Sequence, residues 1–294
     1  MIRACPLHLP LLRAGRDSTS LKVPIQLMPG TLYLIPVPLG TSAPETVLPP
    51  PVLGIVRSLR HFVAENAKSA RAFLKAAAIP VPLQEISITE LNEHTRDADA
   101  EALLAPLLAG HDVGLVSEAG CPAVADPGSA LVAAAQRCEF VVRPLIGPSS
   151  LLLALMASGL EGQRFAFHGY LAAKDVERTR ELRGLEAESR RLRQTQLFIE
   201  TPYRNRAMFD AILKTCQPAT RLAVATDITL SGEMIRTRPI AEWKRLPPPS
   251  SSGVRRFFCS WLERGCTTPR GRPSACANRP LRPEASARPS RSPQ

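Results

Sequence analysis

Short apolar runs alternate with helical patterns in the first half of the chain. The runs LYLIPV, HFVAE, DVGLV and FVVRPLI are separated by segments with apolar residues at helical spacing, such as AKSARAFLKAAAI and SALVAAAQRC. Strands that alternate with helices are typical of an α/β layer with a largely parallel sheet. The pattern therefore predicts an N-terminal α/β domain over residues 29–148.

The alternation continues in a looser form over residues 149–246. The apolar runs RFAFHGY, TQLFIE and RLAVATDI are separated by a charged segment and by the helical pattern RAMFDAILKTC. The charged segment, from Glu177 to Arg193, is predicted to be a solvated helix face. These features predict a second, C-terminal α/β domain.

Neither end of the chain shows the hydrophobic alternation of a strand or the hydrophobic spacing of a helix. Residues 1–28 are interpreted as an irregular N-terminal extension, with Met1 and Met28 both open as the start of translation. Residues 247–294 contain nine Pro, eight Ser and nine Arg. We expect an irregular tail there, produced by a shifted reading frame or, alternatively, a genuine disordered segment. A tail of this kind would leave the second sheet with a poorly covered edge and Phe257, Phe258 and Trp261 exposed.

The charge and the cysteines narrow the class of protein. The formal net charge is +11, but residues 247–294 carry +7 of it and residues 1–27 carry +3, so the central part is close to neutral. This is weak evidence that the folded part binds a polyanion. The seven cysteines include no CxxC pair and no zinc-ligand spacing, so no metal is expected. No apolar run is long enough to span a bilayer, so we expect a soluble protein without membrane contact. The isolated cysteines Cys121, Cys138 and Cys216 are typical of a reducing cytoplasm, which is the expected location.

Three turns follow predicted strands and are built from Gly, Pro and small side chains. They cover Pro36–Ser42, Ser117–Gly128 and Ile146–Ser150. Ligands of parallel α/β sheets bind at the carboxyl ends of strands, where such turns let a ligand approach the backbone. No turn matches the dinucleotide fingerprint or the Walker A loop, which disfavours both cofactor classes. Each turn on its own could also be an ordinary connector.

Several motifs together resemble a known family. GTLYLIPVPLG, HFVAENAKSARAFL, VGLVSEAGCPAVADPGSALV, IGPSSLLLALMASGL, RFAFHGYL and FIETPYRN are similar, in order and spacing, to the tetrapyrrole methylase family of S-adenosylmethionine-dependent methyltransferases. The motifs are nearest to its branch of ribosomal RNA cytidine 2′-O-methyltransferases. The resemblance implies two α/β domains with largely parallel sheets, S-adenosylmethionine in the cleft between them, a homodimer, and ribosomal RNA as the methyl acceptor.

The resemblance also implies site residues. The positions that match the family's cofactor contacts are Leu39, Gly120, Cys121, Val124, Ser149, Ser150, Thr201 and Ala225. For orienting the acceptor or removing its proton, the candidates are Glu65, Glu118 and Tyr203. Structural roles remain open for several of them: Cys121 could be a small buried thiol, and Ser149 and Ser150 could cap a helix.

The chain departs from the branch at two motifs. AEDTR is replaced by Ala64-Glu65-Asn66-Ala67-Lys68, and SPHR by Thr201-Pro202-Tyr203-Arg204. Activating a ribose hydroxyl requires a positioned base or hydrogen-bond network, so these changes keep two alternatives open. One is a methyltransferase for a tetrapyrrole or another small molecule, and the other is a catalytically eroded, cofactor-binding regulatory module.

Overall fold

The computed structural model describes residues 28–91 and 101–247 and the backbone of residues 256–261. The strands are β1 Thr31–Ile35, β2 His61–Ala64, β3 Ser87–Glu90, β4 Val113–Val116, β5 Val141–Pro144, β6 Phe165–Tyr170, β7 Thr195–Glu200, β8 Arg221–Thr226, β9 Met234–Pro239 and β10 Arg256–Trp261. The α-helices are α1 Pro50–Ser58, α2 Ala67–Ala76, α3 Ala105–Leu108, α4 Gly128–Arg137, α5 Ser150–Ser158, α6 Asp175–Leu192, α7 Asn205–Thr215 and α8 Ile240–Trp243. The predicted N-terminal extension falls almost wholly on residues 1–27, which lie outside this description.

The first sheet has the strand order β3-β2-β4-β1-β5 and is parallel throughout. Its central strand β4 is buried along its whole length, as expected for a parallel strand covered by helices on both faces. Gly114 in β4 leaves no room for a side chain, because a Cβ there would lie 2.6 Å from Ile35 and 2.8 Å from Phe62. The predicted parallel α/β domain is confirmed.

Apolar side chains cover both faces of this sheet. On one face, Ile35 and Phe62 pack with residues of α1 and α2. On the other face, Leu32 and Leu115 pack with Leu131 of α4. Two such layers hold the strands rigidly, so the loops at the strand ends have fixed starting points.

The second sheet has the strand order β6-β7-β10-β8-β9 and needs a correction to the expected pairing. Only β6 and β7 are parallel, while β10 is antiparallel to both of its neighbours and β9 is antiparallel to β8. The α/β class holds, but this sheet is mixed rather than largely parallel. Its core contains Phe198, Phe209 and Trp243, with the rings of Phe209 and Trp243 in edge-to-face contact at 5.6 Å.

The expectation of an irregular tail is wrong for residues 256–261. These residues form β10, which pairs with β7 and β8 over its length, with Arg256 opposite both Glu200 and Thr226. β10 pairs with the facing edges of β7 and β8, so the edge that an irregular tail would leave poorly covered is paired in the described part of the chain. The predicted exposure of Phe257, Phe258 and Trp261 concerns side chains that lie outside the description. The rest of the predicted tail, residues 248–255 and 262–294, lies outside the described residues, and the hypothesis of a shifted reading frame stays a prediction.

Helix α6 contains the charged segment that we expected to be solvated. One side of it is nevertheless buried, through Arg178, Leu182, Leu185 and Glu186. Glu186 is held by the backbone N–H of Gln217, which donates to its carboxylate over 2.7 Å. The helix was predicted correctly, and its buried face was missed because charged residues occupy part of it.

Across residues 28–91, 101–247 and 256–261, no helix is both long enough and apolar enough to cross a membrane.

Candidate active site

A cleft of 1020 Å³ lies where the carboxyl ends of strands from both sheets meet. Its lining residues form two walls. The first wall consists of Leu39, Glu65, Asn66, Leu91, Ser117, Glu118, Ala119, Cys121, Ala123, Val124, Ala125, Asp126, Pro127, Ser129, Ala130, Ser149, Ser150 and Leu151. The second wall consists of Phe167, Tyr170, Ile199, Glu200, Asp227, Ile228 and Leu230. All three turns singled out in the sequence contribute to the first wall.

The first two of these turns are joined by a backbone bridge. Val37 and Gly120 exchange hydrogen bonds, with N···O distances of 2.9 and 3.1 Å. Gly120 has a φ of +74°, a left-handed conformation that glycine adopts without strain, and a Cβ there would lie 3.2 Å from Leu39 Cδ2. This glycine therefore sets the position of Leu39 at the cleft.

Asp126 braces the loop that follows β4. Its Oδ1 accepts hydrogen bonds from the backbone N–H groups of Ala123 and Gly128, each over 2.8 Å. Burial raises the pKa of the Asp126 carboxyl, and these two N–H donors partly oppose the rise. The small residues between β4 and α4 thus form one ordered turn with their backbone groups beside the cleft.

Backbone strain is concentrated at the cleft. Among the described residues, seven other than glycine have positive φ, and four of them are in cleft loops: Ala123, Ala125, Asp227 and Thr229. The other three, Ala78, Glu139 and Arg193, follow the ends of helices, where a left-handed residue is a common cap. A left-handed conformation costs an ordinary residue about 1–2 kcal/mol. Residues held in such conformations cluster at active sites and ligand-binding loops.

The third turn brings Cys121 and Ser149 together. The Cys121 thiol lies 3.5 Å from the carbonyl oxygen of Pro148, and Ser149 caps α5 by accepting a hydrogen bond from the N–H of Leu152. Burial raises the pKa of the Cys121 thiol, opposed in part by a hydrogen bond with the Ser149 side chain. A thiol with a raised pKa is a poor nucleophile at neutral pH, which favours the structural role for Cys121.

On the second wall, Glu200 is a fully buried carboxylate at the end of β7. Its Oε1 accepts a hydrogen bond from the N–H of Thr201 over 2.8 Å, and its Oε2 lies 3.1 Å from Arg204 Nη2. Arg204 also donates to the carbonyl oxygen of Leu171, directly after β6. This ion pair joins the ends of two neighbouring strands at the cleft.

The structure brings most of the predicted site residues together. Those that line the cleft are Leu39, Glu65, Glu118, Cys121, Val124, Ser149 and Ser150. Gly120 lies behind Leu39 instead of lining the cleft. The three residues predicted from the C-terminal domain do not line the cleft. Ala225 is buried in the core, Thr201 lies next to the lining residue Glu200, and Tyr203 is 83% exposed.

Sequence reasoning missed the aromatic and acidic residues of the second wall. Tyr170 and Glu200 are the last residues of β6 and β7, Asp227 directly follows β8, and Phe167 lies inside β6. For the three residues at strand ends, the position at the end of an apolar run was the available signal. It was weak because these residues are far apart in sequence and occur in no glycine-rich turn.

The cleft has an acidic lining. Among the described side chains that line it, five are carboxylates and none is Lys or Arg; the five are Glu65, Glu118, Asp126, Glu200 and Asp227. Since phosphate groups are normally bound by cations or by backbone N–H groups, this side-chain lining does not suit a phosphate. Among the described residues, this lining offers no cationic side chain to an anionic ligand.

Two curated relatives identify the family. A protein named ribosomal RNA small subunit methyltransferase I from Escherichia coli O157:H7 is 32% identical over 213 residues, covering 72% of this chain and 70% of the relative. A protein of the same name from Pseudomonas aeruginosa is 30% identical over 248 residues, covering 83% and 82%. The chain belongs to the ribosomal RNA small subunit methyltransferase I family. The prediction of a methyltransferase from this branch is confirmed.

Solved structures confirm the fold of this family member. The crystal structure of the methyltransferase CobJ matches 79% of the chain and 92% of its own length, with a TM-score of 0.52 and 18% identity. The conserved hypothetical protein APE0931 from Aeropyrum pernix K1 matches 79% and 85%, with a TM-score of 0.51 and 16% identity. At these identities the likeness concerns the fold alone. No model of a known protein family matches the chain.

Proposed function

We propose that the protein transfers a methyl group from S-adenosylmethionine to a ribose 2′-hydroxyl of small-subunit ribosomal RNA. The observation that carries the proposal is the alignment with the Pseudomonas aeruginosa relative. It covers 83% of the chain. Because the N-terminal domain is much shorter than this, the alignment includes residues from both of the domains between which the cleft lies.

The chemistry of the first wall fits this cofactor. S-adenosylmethionine supplies an electrophilic methyl group on a positively charged sulfonium. Leu39, Cys121, Val124, Ser149 and Ser150 would hold it, together with the backbone of the loop braced by Asp126. The small side chains of this loop leave its main-chain groups accessible, and the carboxylates around the cleft are compatible with a positive charge.

Glu65 and Glu118 are the residues of the first wall suited to act on the acceptor. A carboxylate can accept a hydrogen bond from a hydroxyl group, orient it, and take its proton as the oxygen forms a new bond. Both side chains line the same cleft. Tyr203, the third candidate from the sequence, lies outside the cleft, so we do not assign it a role in this proposal.

The change from Asp to Asn at position 66 has a structural explanation. Asn66 Oδ1 caps α2 by accepting hydrogen bonds from the N–H groups of Lys68 and Ser69 over 2.9 and 3.3 Å. Asn and Asp are about equally good at this capping position. The substitution therefore preserves the start of α2 next to Glu65.

The acidic lining also bears on the small-molecule alternative. Tetrapyrrole precursors carry several carboxylate groups, for which the described lining of this cleft provides no Lys or Arg partner. The ribose and base of a nucleotide are uncharged, and its phosphates can stay at the mouth of the cleft. This favours an RNA acceptor over a polycarboxylate.

The test uses the full chain, labelled S-adenosylmethionine and three acceptors: small ribosomal subunits, free ribosomal RNA and an extract of small molecules. We expect label in the RNA. Because alkaline cleavage of RNA needs a free 2′-hydroxyl, methylation of the ribose leaves the label in an alkali-stable dinucleotide.

Each other result supports a different function. Label in mononucleotides after alkali would indicate methylation of a base. Label only in small molecules would support the tetrapyrrole-type alternative. Cofactor binding by calorimetry without transfer to any acceptor would support the regulatory module.

The oligomeric state and the cellular location of the protein are part of the same proposal. We propose a cytoplasmic homodimer, as the family resemblance implies. Light scattering on the purified full chain checks the dimer, which would have twice the mass of one chain.

A further inference from the structure

Two aromatic side chains of β6, Phe167 and Tyr170, line the second wall of the cleft. They are three residues apart. Because side chains alternate between the two faces of a regular strand, residues three apart normally point to opposite faces. Their presence at the same cleft therefore needs a local departure from regular strand geometry.

An irregularity in β6 supplies that departure. Phe167 is opposite Leu197 of β7, and Tyr170 is opposite Ile199, so three steps along β6 match two steps along β7. Gly169, inside the irregular segment, has a φ of +63°. An extra residue of this kind reverses the alternation beyond it, and such bulges are frequent beside active sites. The bulge brings Phe167 and Tyr170 to the same cleft.

The two rings differ in how they are held. Phe167 is half-buried and packs against the core cluster that contains Leu197, Ala225 and Ile228. Tyr170 is 45% exposed. The strand end next to it is nevertheless held in place, because Arg204, which pairs with Glu200, donates a hydrogen bond to the carbonyl oxygen of Leu171. The pair thus combines an anchored ring with an accessible one, an arrangement suited to contact with a ligand.

The charges around the rings limit the kind of ligand that can bind there. The acidic lining of the cleft disfavours a phosphate, and an aromatic surface favours a flat, uncharged group. Bases of single-stranded RNA that are turned out of a stack bind in this way on aromatic side chains. An enzyme that modifies a nucleotide must also take it out of the surrounding structure to reach its target atom.

We propose that Phe167 and Tyr170 form a platform on which one unpaired nucleobase of the acceptor RNA stacks. This rests on the proposed function, since it assumes an RNA acceptor. The platform places the base on the second wall, so the attached ribose faces the first wall, where Glu65 and Glu118 lie. A nucleotide within a duplex would not fit, because its base is already stacked and paired.

The test compares Tyr170→Ala, the conservative Tyr170→Phe and the matched control Phe165→Ala. Phe165 lies on the same strand and is 41% exposed, but it does not line the cleft. Steady-state kinetics with the RNA substrate and calorimetry with S-adenosylmethionine are measured for each full-length variant. Thermal unfolding checks that each variant is folded.

We expect Tyr170→Ala to raise the KM for RNA on the order of tenfold, the usual effect of removing one stacking ring. Cofactor affinity should not change. Tyr170→Phe should restore the KM, because it keeps the ring, and Phe165→Ala should behave like the wild type.

Three results would overturn the platform. An unchanged KM in Tyr170→Ala, with RNA methylated by the wild type, would remove the platform and leave the proposed function intact. A loss of cofactor affinity equal to the loss for RNA would show that the ring contacts the cofactor instead. A wild-type protein that binds the cofactor but methylates no RNA would refute the proposed function and, with it, the platform.

Discussion

The two walls of the cleft are built on different principles. The first wall is formed by loops whose side chains are mostly small, with backbone groups held in place by the Val37–Gly120 bridge and by Asp126. The second wall is formed by larger side chains from β6, from the end of β7 and from the loop after β8, among them Phe167, Tyr170 and Glu200.

The difference suggests a division of labour. A wall made of backbone atoms tolerates changes of side chain and suits a constant ligand, the cofactor. A wall made of side chains can differ between relatives while the fold is kept, so it suits the acceptor. Three substitutions test this comparison, each on a feature that only one wall possesses.

The largest effect is expected from Glu200→Gln on the second wall. The substitution leaves Arg204, whose side chain is 20% exposed, without its anionic partner. Losing one member of a buried ion pair is strongly destabilising, and partial access of water to Arg204 should reduce the cost to about 2–3 kcal/mol. Urea unfolding measures this change in the free energy of unfolding.

The control for Glu200→Gln is Asp210→Asn. Asp210 pairs with Arg206 over 2.7 Å on the surface of α7. A surface pair of this kind contributes less than about 1 kcal/mol. Equal effects of the two substitutions would show that the second wall does not depend on its buried ion pair.

An intermediate effect is expected from Gly120→Ala on the first wall. A left-handed alanine costs about 1–2 kcal/mol, and its Cβ would press on Leu39 at 3.2 Å. We expect affinity for S-adenosylmethionine to fall on the order of tenfold, which calorimetry measures.

Gly159→Ala is the matched control for Gly120→Ala. Gly159 has a φ of +63° and ends α5, and a Cβ there would meet nothing within 4 Å. It should lose similar stability but keep full cofactor affinity. Loss of affinity in both variants, or in neither, would contradict the role of the Gly120 turn.

The smallest effect is expected from Asp126→Asn. Burial raises the pKa of Asp126 in the folded protein, so the folded state holds this proton more tightly than the unfolded state does. The resulting penalty is absent below the unfolded pKa, near 3.8, and develops as pH rises through the higher folded pKa. At neutral pH, Asn can still accept both N–H hydrogen bonds and avoids the buried charge.

We therefore expect Asp126→Asn to be as stable as the wild type or slightly more stable at pH 7; the effect is small because the carboxyl is partly exposed and solvent screens the penalty. The free energy of unfolding of this variant should change less between pH 4 and pH 7 than that of the wild type. Urea unfolding at several pH values measures the difference. A clear loss of stability at pH 7 would mean that the negative charge itself, and not only the acceptor oxygen, holds the loop.

The first wall could be predicted from the sequence because its chemistry is local. Gly120, Asp126 and Ser149 occur in short turns between an apolar run and a helix, so composition alone marks these turns. The second wall could not be found in this way. Phe167 and Tyr170 reach the same cleft only through the bulge in β6, and strand alternation would have separated them.

Strand β10 was missed for a related reason. The run RFFCSW follows three prolines and lies in a segment rich in Ser and Arg, a composition that favours irregular structure. Nothing in residues 256–261 alone indicates that they pair with β7 and β8. That pairing depends on the two neighbouring strands, which are formed by residues far away in the sequence.

The position of β10 affects how the protein folds during synthesis. The ribosome synthesises β10 after both β7 and β8. Until β10 is available, β7 and β8 each have one unpaired edge. The parallel sheet of the first domain needs no such late segment, and domains generally fold as units during translation. The N-terminal domain can therefore fold first, whereas the second sheet stays open to wrong pairing until residues 256–261 emerge.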